Sequence, residues 1–379
     1  MRGDADPCIY HKKVKGTKGD QVYSTLYVDD IKNYCNPSPE ARAEFDKLNK
    51  KLDTDWKIKF GEKNAKESFL LSTNCHRHSS KWTTINMRTY IEDQMKKHLK
   101  KDLEDYPKSW SYNPCGKDIM KEYEHAMAKT EMLEQVENDE FGSICGGLQY
   151  AVSYRPDVAF GVGICARCRS FPTKGMKAAA ERILVYLAHT RDLGINYVNN
   201  GPNSAKIWGR CDSDWYVRRS TTGHHINIAG GAVSAKSGKQ HAIAMSSTEA
   251  ELMGLADCAL DLLYVRSVMS DLGYQYSNED DVELETKDKE AHRLVNKARE
   301  MVHGPTEIGT DNTGAYDLCH RDYPAKNSRH VERKGFSKCV SSTMRAWLSS
   351  STSRPRICLL TSLPRPRMTP PSNAIVRRL

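Results

Sequence analysis

Four carboxylates in the second half of the chain occupy places from which a folded sheet could gather them. Asp212 ends a strand-like run, Ala205–Asp212. Glu251 falls in the first turn of a long helical pattern, Asp311 follows a short strand-like run, Glu307–Thr310, and Glu332 comes two residues after His330. Acids at strand ends and a helix start can converge on one edge of a sheet. Hard divalent cations take such oxygen ligands, and Mg²⁺ keeps several waters beside one or two carboxylates and a substrate phosphate. Two ions about 3.5–4 Å apart stabilise both the attacking and the leaving oxygen of an in-line phosphoryl displacement. The expected cofactor is therefore a pair of Mg²⁺ ions, with Mn²⁺ as the substitute. The competing reading is a set of solvated surface acids, since all 48 Asp and Glu must sit somewhere. Spacing alone also leaves two choices open. Asp212 and Asp214 lie two apart on a strand and share a face. Glu249 and Glu251 are about 200° apart on a helix, so only one can face the site.

Other constellations carry less. Cys165-Ala166-Arg167-Cys168 has Cys-x-x-Cys spacing without a second pair, and Cys75-His76-Arg77-His78 lacks correctly spaced partners; both read as packing or exposure rather than zinc ligation. His224-His225 falls in a strand pattern and reads the same way. Gly230-Gly231 is not followed by the Lys and helix of a phosphate-cradling loop.

The elements that must position the four acids form a patterned block over 206–340. After the strand ending at Asp212 come a turn at Arg218–Gly223 and a strand pair, Ile226–Ala229 and Gln240–Met245. A helix over Glu249–Leu272 follows, with Thr248 or Ser247 as its cap. The order of three strands, a helix, a strand and a helix predicts a mixed sheet with flanking helices. Upstream, Val22–Val28 reads as the first arm of a hairpin that turns at Asp29-Asp30 and restarts at Ile31. Gly142–Tyr197 reads as two helices, the first broken at Arg155-Pro156 and the second covering Met176–His189 with a stop at Gly194.

Length and composition bound the whole. The 379 residues, 39% hydrophobic and 28% charged, suit two or three soluble domains. No apolar run of about 18 residues offers a membrane span. Met1–Tyr10 lacks an apolar signal core. Twelve cysteines are too few for a disulfide scaffold and read as reduced thiols of a cytoplasmic or nuclear chain, not a secreted one. Of the net +9, the seven arginines of residues 341–379 supply +7, which leaves +2 on residues 1–340. Charge alone therefore gives no case for nucleic acid, which has to come from motifs. That tail, rich in Ser, Arg and Pro and free of acids, is expected to be disordered. Ser277–Glu300 reads as a polar linker running into a solvated helix.

The motifs, taken in order, resemble the Pol polyproteins of copia-type retrotransposons. Cys211-Asp212-Ser213-Asp214-Trp215, Arg219-Ser220-Thr221-Thr222-Gly223, Ser237-Gly238-Lys239-Gln240 and Ser246-Ser247-Thr248-Glu249-Ala250-Glu251 look like the ribonuclease H domain of that family. Thr310-Asp311-Asn312 and Arg329-His330-Val331-Glu332 look like its third and fourth site motifs. Leu148-Gln149-Tyr150, Arg155-Pro156-Asp157 and Arg182–Thr190 resemble the segment joining reverse transcriptase to that domain. Tyr27-Val28-Asp29-Asp30 resembles the metal-binding hairpin of the polymerase, with Asp6–Tyr10 as its lead-in. The resemblance covers about residues 1–340.

What the resemblance implies is specific. The fold would be α/β: an α+β polymerase remnant over 1–110 and a helical connection over 111–204. A ribonuclease H-like mixed sheet with flanking helices over 205–340 and the disordered tail 341–379 would follow. Asp212, Glu251, Asp311 and Glu332 would be the metal ligands, His330 a catalytic partner, and Asp29 and Asp30 two ligands of an incomplete polymerase site. The activity would be metal-dependent hydrolysis of the RNA strand of RNA–DNA hybrids, with RNA and DNA as partners and no membrane. The alternative is a catalytically dead remnant that at most binds nucleic acid weakly. Glu332 stands where the family has Asp, and Ala235 where it commonly has Trp. The unpatterned sequence after 340 replaces the family's closing segment, as a frameshift would.

Overall fold

The computed structural model describes residues 2–3, 5–17, 20–58, 66–129, 132–199, 206–216, 219–272 and 306–320. The linker Ser277–Glu300, His330, Glu332 and the tail lie outside them. The described residues combine helices with three antiparallel or mixed sheets, an α/β mixture. No described helix is long and apolar enough to cross a membrane. By contacts the chain divides into two compact units. One holds the described residues of Met1–Ala65, Ile207–Gly209 and Leu255–Leu360, the other those of Lys66–Lys206 and Arg210–Gly254.

The first sheet is a meander of β1 (Ile9–Lys13), β2 (Gln21–Tyr27) and β3 (Asp30–Cys35). Tyr27 pairs with Asp30, so the β2–β3 turn is the dipeptide Val28-Asp29. Val28 has φ 52°. A two-residue hairpin turn with a positive φ at its first position favours Gly, and a β-branched residue there is strained. Helix α1 (Pro39–Trp56) follows, capped by the Ser38 hydroxyl on the Ala41 N–H with Pro39 at its start.

The second sheet joins β4 (Glu67–Leu70), β5 (Thr73–Arg77) and β6 (Trp82–Asn86) to β7 (Gly194–Val198). Between β6 and β7 run α2 (Arg88–His98), α3 (Ile119–Ala128), α4 (Gln135–Ala151), α5 (Ala159–Arg167) and α6 (Lys174–His189). They enclose one apolar core that includes Ile91, Phe141, Ile144, Leu148, Ile164, Met176, Ile183 and Leu187. Helix α6 follows the expected span, with Thr173 accepting from the Met176 N–H as its cap. The expected pair of helices is three. The missed one, α5, reads AFGVGICAR, buries Ala159, Gly161, Val162, Ile164 and Cys165, and so has no polar face to give it a helical period. Gly194 opens strand β7 rather than ending a helix.

Two of the motif segments meet in this core. Arg155, 2% exposed, donates from Nε and Nη2 to the Asp157 carboxylate at 3.0 and 2.7 Å, and to the Thr190 carbonyl and hydroxyl at 2.9 and 2.7 Å. The Tyr186 hydroxyl donates to Asp157 at 2.8 Å. Burial, and then the Asp157 charge, push that phenol up to about 12, so it stays a donor. Cys165 and Cys168 are buried nearby, and burial raises both thiols, Cys168 to about 12.

The third sheet has the order β10–β9–β8–β11, from β8 (Trp208–Ser213), β9 (Thr221–Ile228), β10 (Gly231–Lys239) and β11 (Glu307–Gly309). Helix α7 (Ser247–Asp271) precedes β11, and α8 (Thr313–His320) follows it. The strand order along the chain is the expected one, but the second hairpin arm is Gly231–Lys239 and not Gln240–Met245. Ala229 (φ 53°) and Gly230 (φ 81°) make the turn, which takes two left-handed residues. The arm it launches, GAVSAKSGK, is poor in β-formers, while the loop after it carries the apolar run Ala242-Ile243-Ala244-Met245.

Candidate metal centre

Strand β8 alternates buried Gly209, Cys211 and Ser213 with exposed Arg210 and Asp212, so Asp212 leaves the face opposite its two neighbours. Asp214 lies just past the strand and is used otherwise. Its carboxylate accepts the Thr221 N–H while its own N–H donates to the Thr221 carbonyl at 3.1 Å, closing the connection to β9. The strand geometry thus separates two acids that spacing alone could not.

The helix does the same for the two glutamates. The Ser246 hydroxyl accepts the Glu249 N–H at 3.1 Å, and Glu249 returns its carboxylate to the Met245 N–H at 2.7 Å. This is a reciprocal cap, and its cap residue is Ser246, one position before the expected candidates; Ser-x-x-Glu at 246–249 is the signal that marks it. Glu251, 4% exposed, turns to the sheet and accepts the Ser213 N–H at 3.2 Å. Glu249→Ala is expected to cost about 0.5–2 kcal/mol of stability, read as a lower denaturation midpoint. Glu251→Gln is expected to keep that midpoint, because its amide oxygen still accepts from Ser213.

A polar brace fixes the helix on the sheet. Ser213 Oγ and Thr222 Oγ1 lie 3.0 Å apart, and buried Gln240 donates from Nε2 to Thr222 Oγ1 and to the Ala250 carbonyl, both at 2.8 Å. One turn beyond Glu251, Gly254 sits against Ser213 Oγ, with Thr222 Cγ2 3.1 Å from where a Cβ would stand. Only glycine lets the helix approach this closely. The sequence motifs include Gln240 without a role for it and leave out Gly254. A glycine inside an otherwise helical pattern was the available signal for Gly254.

Asp311 is held by the elements on either side of it. The buried Arg266 of α7 donates to Thr306 Oγ1 at 2.7 Å just before β11, and Ile308 and Thr310 are buried. Asn312 Oδ1 then accepts the Ala315 N–H at 2.9 Å as the cap of α8. Asp311 falls between strand end and helix start.

These placements bring Asp212, Glu251 and Asp311 together: one carboxylate oxygen from each lies within 4.8 Å of the others, with Glu251 buried and both aspartates exposed. Bonds of about 2.0–2.6 Å let one oxygen-ligated divalent cation bridge that span. Three carboxylates this close repel one another, a repulsion that a cation relieves. Among the described residues this is the one such group of three; Asp29 and Asp30, exposed at the hairpin tip, belong to none. His330 and Glu332 lie outside the described residues.

No family model matches the chain. It is 35% identical over 135 residues, 34% of its length, to the secreted RxLR effector protein 161 of Plasmopara viticola, of which it covers 94%. It is 34% identical over 198 residues, 51% of its length, to the retrovirus-related Pol polyprotein from transposon RE2 of Arabidopsis thaliana. It is 25% identical over 275 residues, 71% of its length, to the corresponding polyprotein from transposon TNT 1-94 of Nicotiana tabacum. The chain spans 12% and 19% of those two polyproteins. The likeness to these polyproteins extends over half to most of the chain: the chain is similar to a fragment of the retrovirus-related Pol polyproteins of plant transposons.

Proposed function

We propose that the chain carries a ribonuclease H-like domain that hydrolyses the RNA strand of RNA–DNA hybrids in the presence of Mg²⁺, in the cytoplasm or nucleus. The observation that carries this reading is the convergence of Asp212, Glu251 and Asp311 within 4.8 Å. Three oxygen donors, one buried and two open to solvent, fit a hard cation that must also meet a phosphodiester. Asp212, Glu251 and Asp311 would hold Mg²⁺ or Mn²⁺, which would orient a water for attack and supply charge to offset the departing oxygen. Glu251 is the fixed member, held by the Ser213 N–H and the brace beneath it. Asp212 and Asp311 are the open members, exposed to solvent and so accessible to an incoming backbone. His330 would exchange a proton near neutral pH, to which imidazole is suited, and Glu332 would add a fourth carboxylate.

The test is cleavage of end-labelled RNA, annealed to DNA, by the full chain with Mg²⁺. Fragments are expected with Mg²⁺ or Mn²⁺ and none with a chelator. RNA that stays whole with either ion, or cleavage that persists in the chelator, refutes the reading.

A further inference from the structure

The geometry points to Gln240 as the positioning residue of the carboxylate site. It ties the end of β8, which carries Asp212, to the first turn of α7, which carries Glu251, and so sets the gap that a divalent cation has to fill. The inference rests on the metal-binding reading of the cluster and gives it a residue that touches neither the cation nor the nucleic acid. Gln240 follows β10, is 3% exposed, and is anchored by its own N–H, which donates to the Ser220 carbonyl at 2.8 Å. Its side-chain nitrogen then reaches two places. It donates to the Ala250 carbonyl, in the peptide that leads into Glu251, and to Thr222 Oγ1.

Chemistry fixes the direction of these bonds. A carbonyl only accepts, so the amide nitrogen is the end that faces Ala250. Thr222 Oγ1 accepts the second N–H, which turns its own proton to Ser213 Oγ, 3.0 Å away. Ser213 is thereby held by its side chain while its N–H donates to Glu251 at 3.2 Å, and the residue before it is Asp212. Both acids therefore answer to one amide. Stability alone is a poor account of that amide. Among the described residues, no donor meets the buried Gln240 Oε1, and a buried oxygen without a donor carries its full desolvation cost. An apolar side chain of the same length would avoid that cost, but it would leave the two acid-bearing segments unlinked.

The experiment titrates Mn²⁺ into the full chain and reads the free ion by electron paramagnetic resonance. Gln240→Met keeps the length and removes the amide. It is expected to keep a denaturation midpoint near the parent's, since Thr222 retains Ser213 as a partner, and to bind Mn²⁺ about 10–100-fold more weakly, the range for losing a partner behind a metal ligand. Thr222→Val interrupts the same relay, is expected to weaken binding as well, and reads the relay if Gln240→Met does not fold. Together the two are expected to lose less than the product of the single losses, because they act through one chain of bonds. Gln94→Met on α2 removes an amide outside the brace and is expected to bind like the parent. The role of Gln240 is overturned by folded variants that bind Mn²⁺ like the parent, by a fully multiplicative double loss, or by an equal loss in Gln94→Met. A parent that binds no Mn²⁺, or whose Mn²⁺ affinity survives Asp212→Asn, overturns it too. A parent that cleaves hybrid while the variants bind Mn²⁺ like it removes the positioning role and leaves the nuclease. Weaker Mn²⁺ binding by variants of a parent that leaves hybrid whole does the reverse.

Discussion

Asp212→Asn is expected to lower Mg²⁺-dependent cleavage of an RNA–DNA hybrid by about 10²–10³-fold, the scale of deleting one electrostatic stabiliser of a transition state. Its fold is expected to survive, because Asp212 is exposed at the end of β8 and the brace beneath it uses Ser213, Thr222 and Gln240. Asn keeps the shape and removes the charge that draws a cation. Asp214→Asn is the control: its amide oxygen can still accept the Thr221 N–H, so cleavage is expected within a few-fold of the parent, far short of the about 10²-fold loss. Initial rates at saturating Mg²⁺, with circular dichroism of each variant, decide the matter. If Asp212→Asn cleaves like the parent, or Asp214→Asn is the dead variant, the site is wrongly assigned.

Asp157→Ala is expected to cost about 3–5 kcal/mol of stability, the range for breaking one side of a buried ion pair. The Arg155 guanidinium is 2% exposed and would keep only its bonds to Thr190, while the Tyr186 hydroxyl would lose its acceptor. Removing both charges is predicted to hurt less than removing one, since an uncompensated buried charge is the expensive state. Urea midpoints of Asp157→Ala and of the Arg155→Met, Asp157→Ala double variant test this. A midpoint for Asp157→Ala close to that of the parent would show that water reaches Arg155 and that the pair is not structural.

Most of the α/β organisation can be read from the residues. The strand ending at Asp212, the helix over 249–272 and the strand before Asp311 fold close to where their patterns put them, because each couples a period to a cap or a turn. The departures have physical causes. Helix α5 is apolar on every side, so its period is invisible. Strand β10 is made of small and polar residues whose pairing comes from the left-handed Ala229-Gly230 turn, not from propensity. Spacing alone left Glu249 and Glu251 open and the resemblance pointed to Glu251; the bond from the Met245 N–H to the Glu249 carboxylate shows that Glu249 is occupied by capping. The role of Gln240 could not have been chosen from sequence at all: it joins Thr222 to the Ala250 carbonyl only once α7 packs on the third sheet.

The second sheet has a consequence for the order of folding. Its strand β6 takes its outer neighbour β7 from far downstream: Trp82 Nε1 donates to Asn196 Oδ1 at 3.1 Å across 114 positions. Strands β4–β6 can pair locally as soon as they are made, but β7 returns only after the intervening helices have collapsed on one another. Closing so long a loop adds little to its entropy with each further residue, yet it makes the closing step late and slow. Until then β6 exposes an unpaired row of amide and carbonyl groups bearing Trp82 and Ile85, the kind of edge that recruits a second chain. A ribosome that stalls before Gly194 would release a chain with that edge open, so the second sheet is the place where interrupted synthesis turns into aggregation.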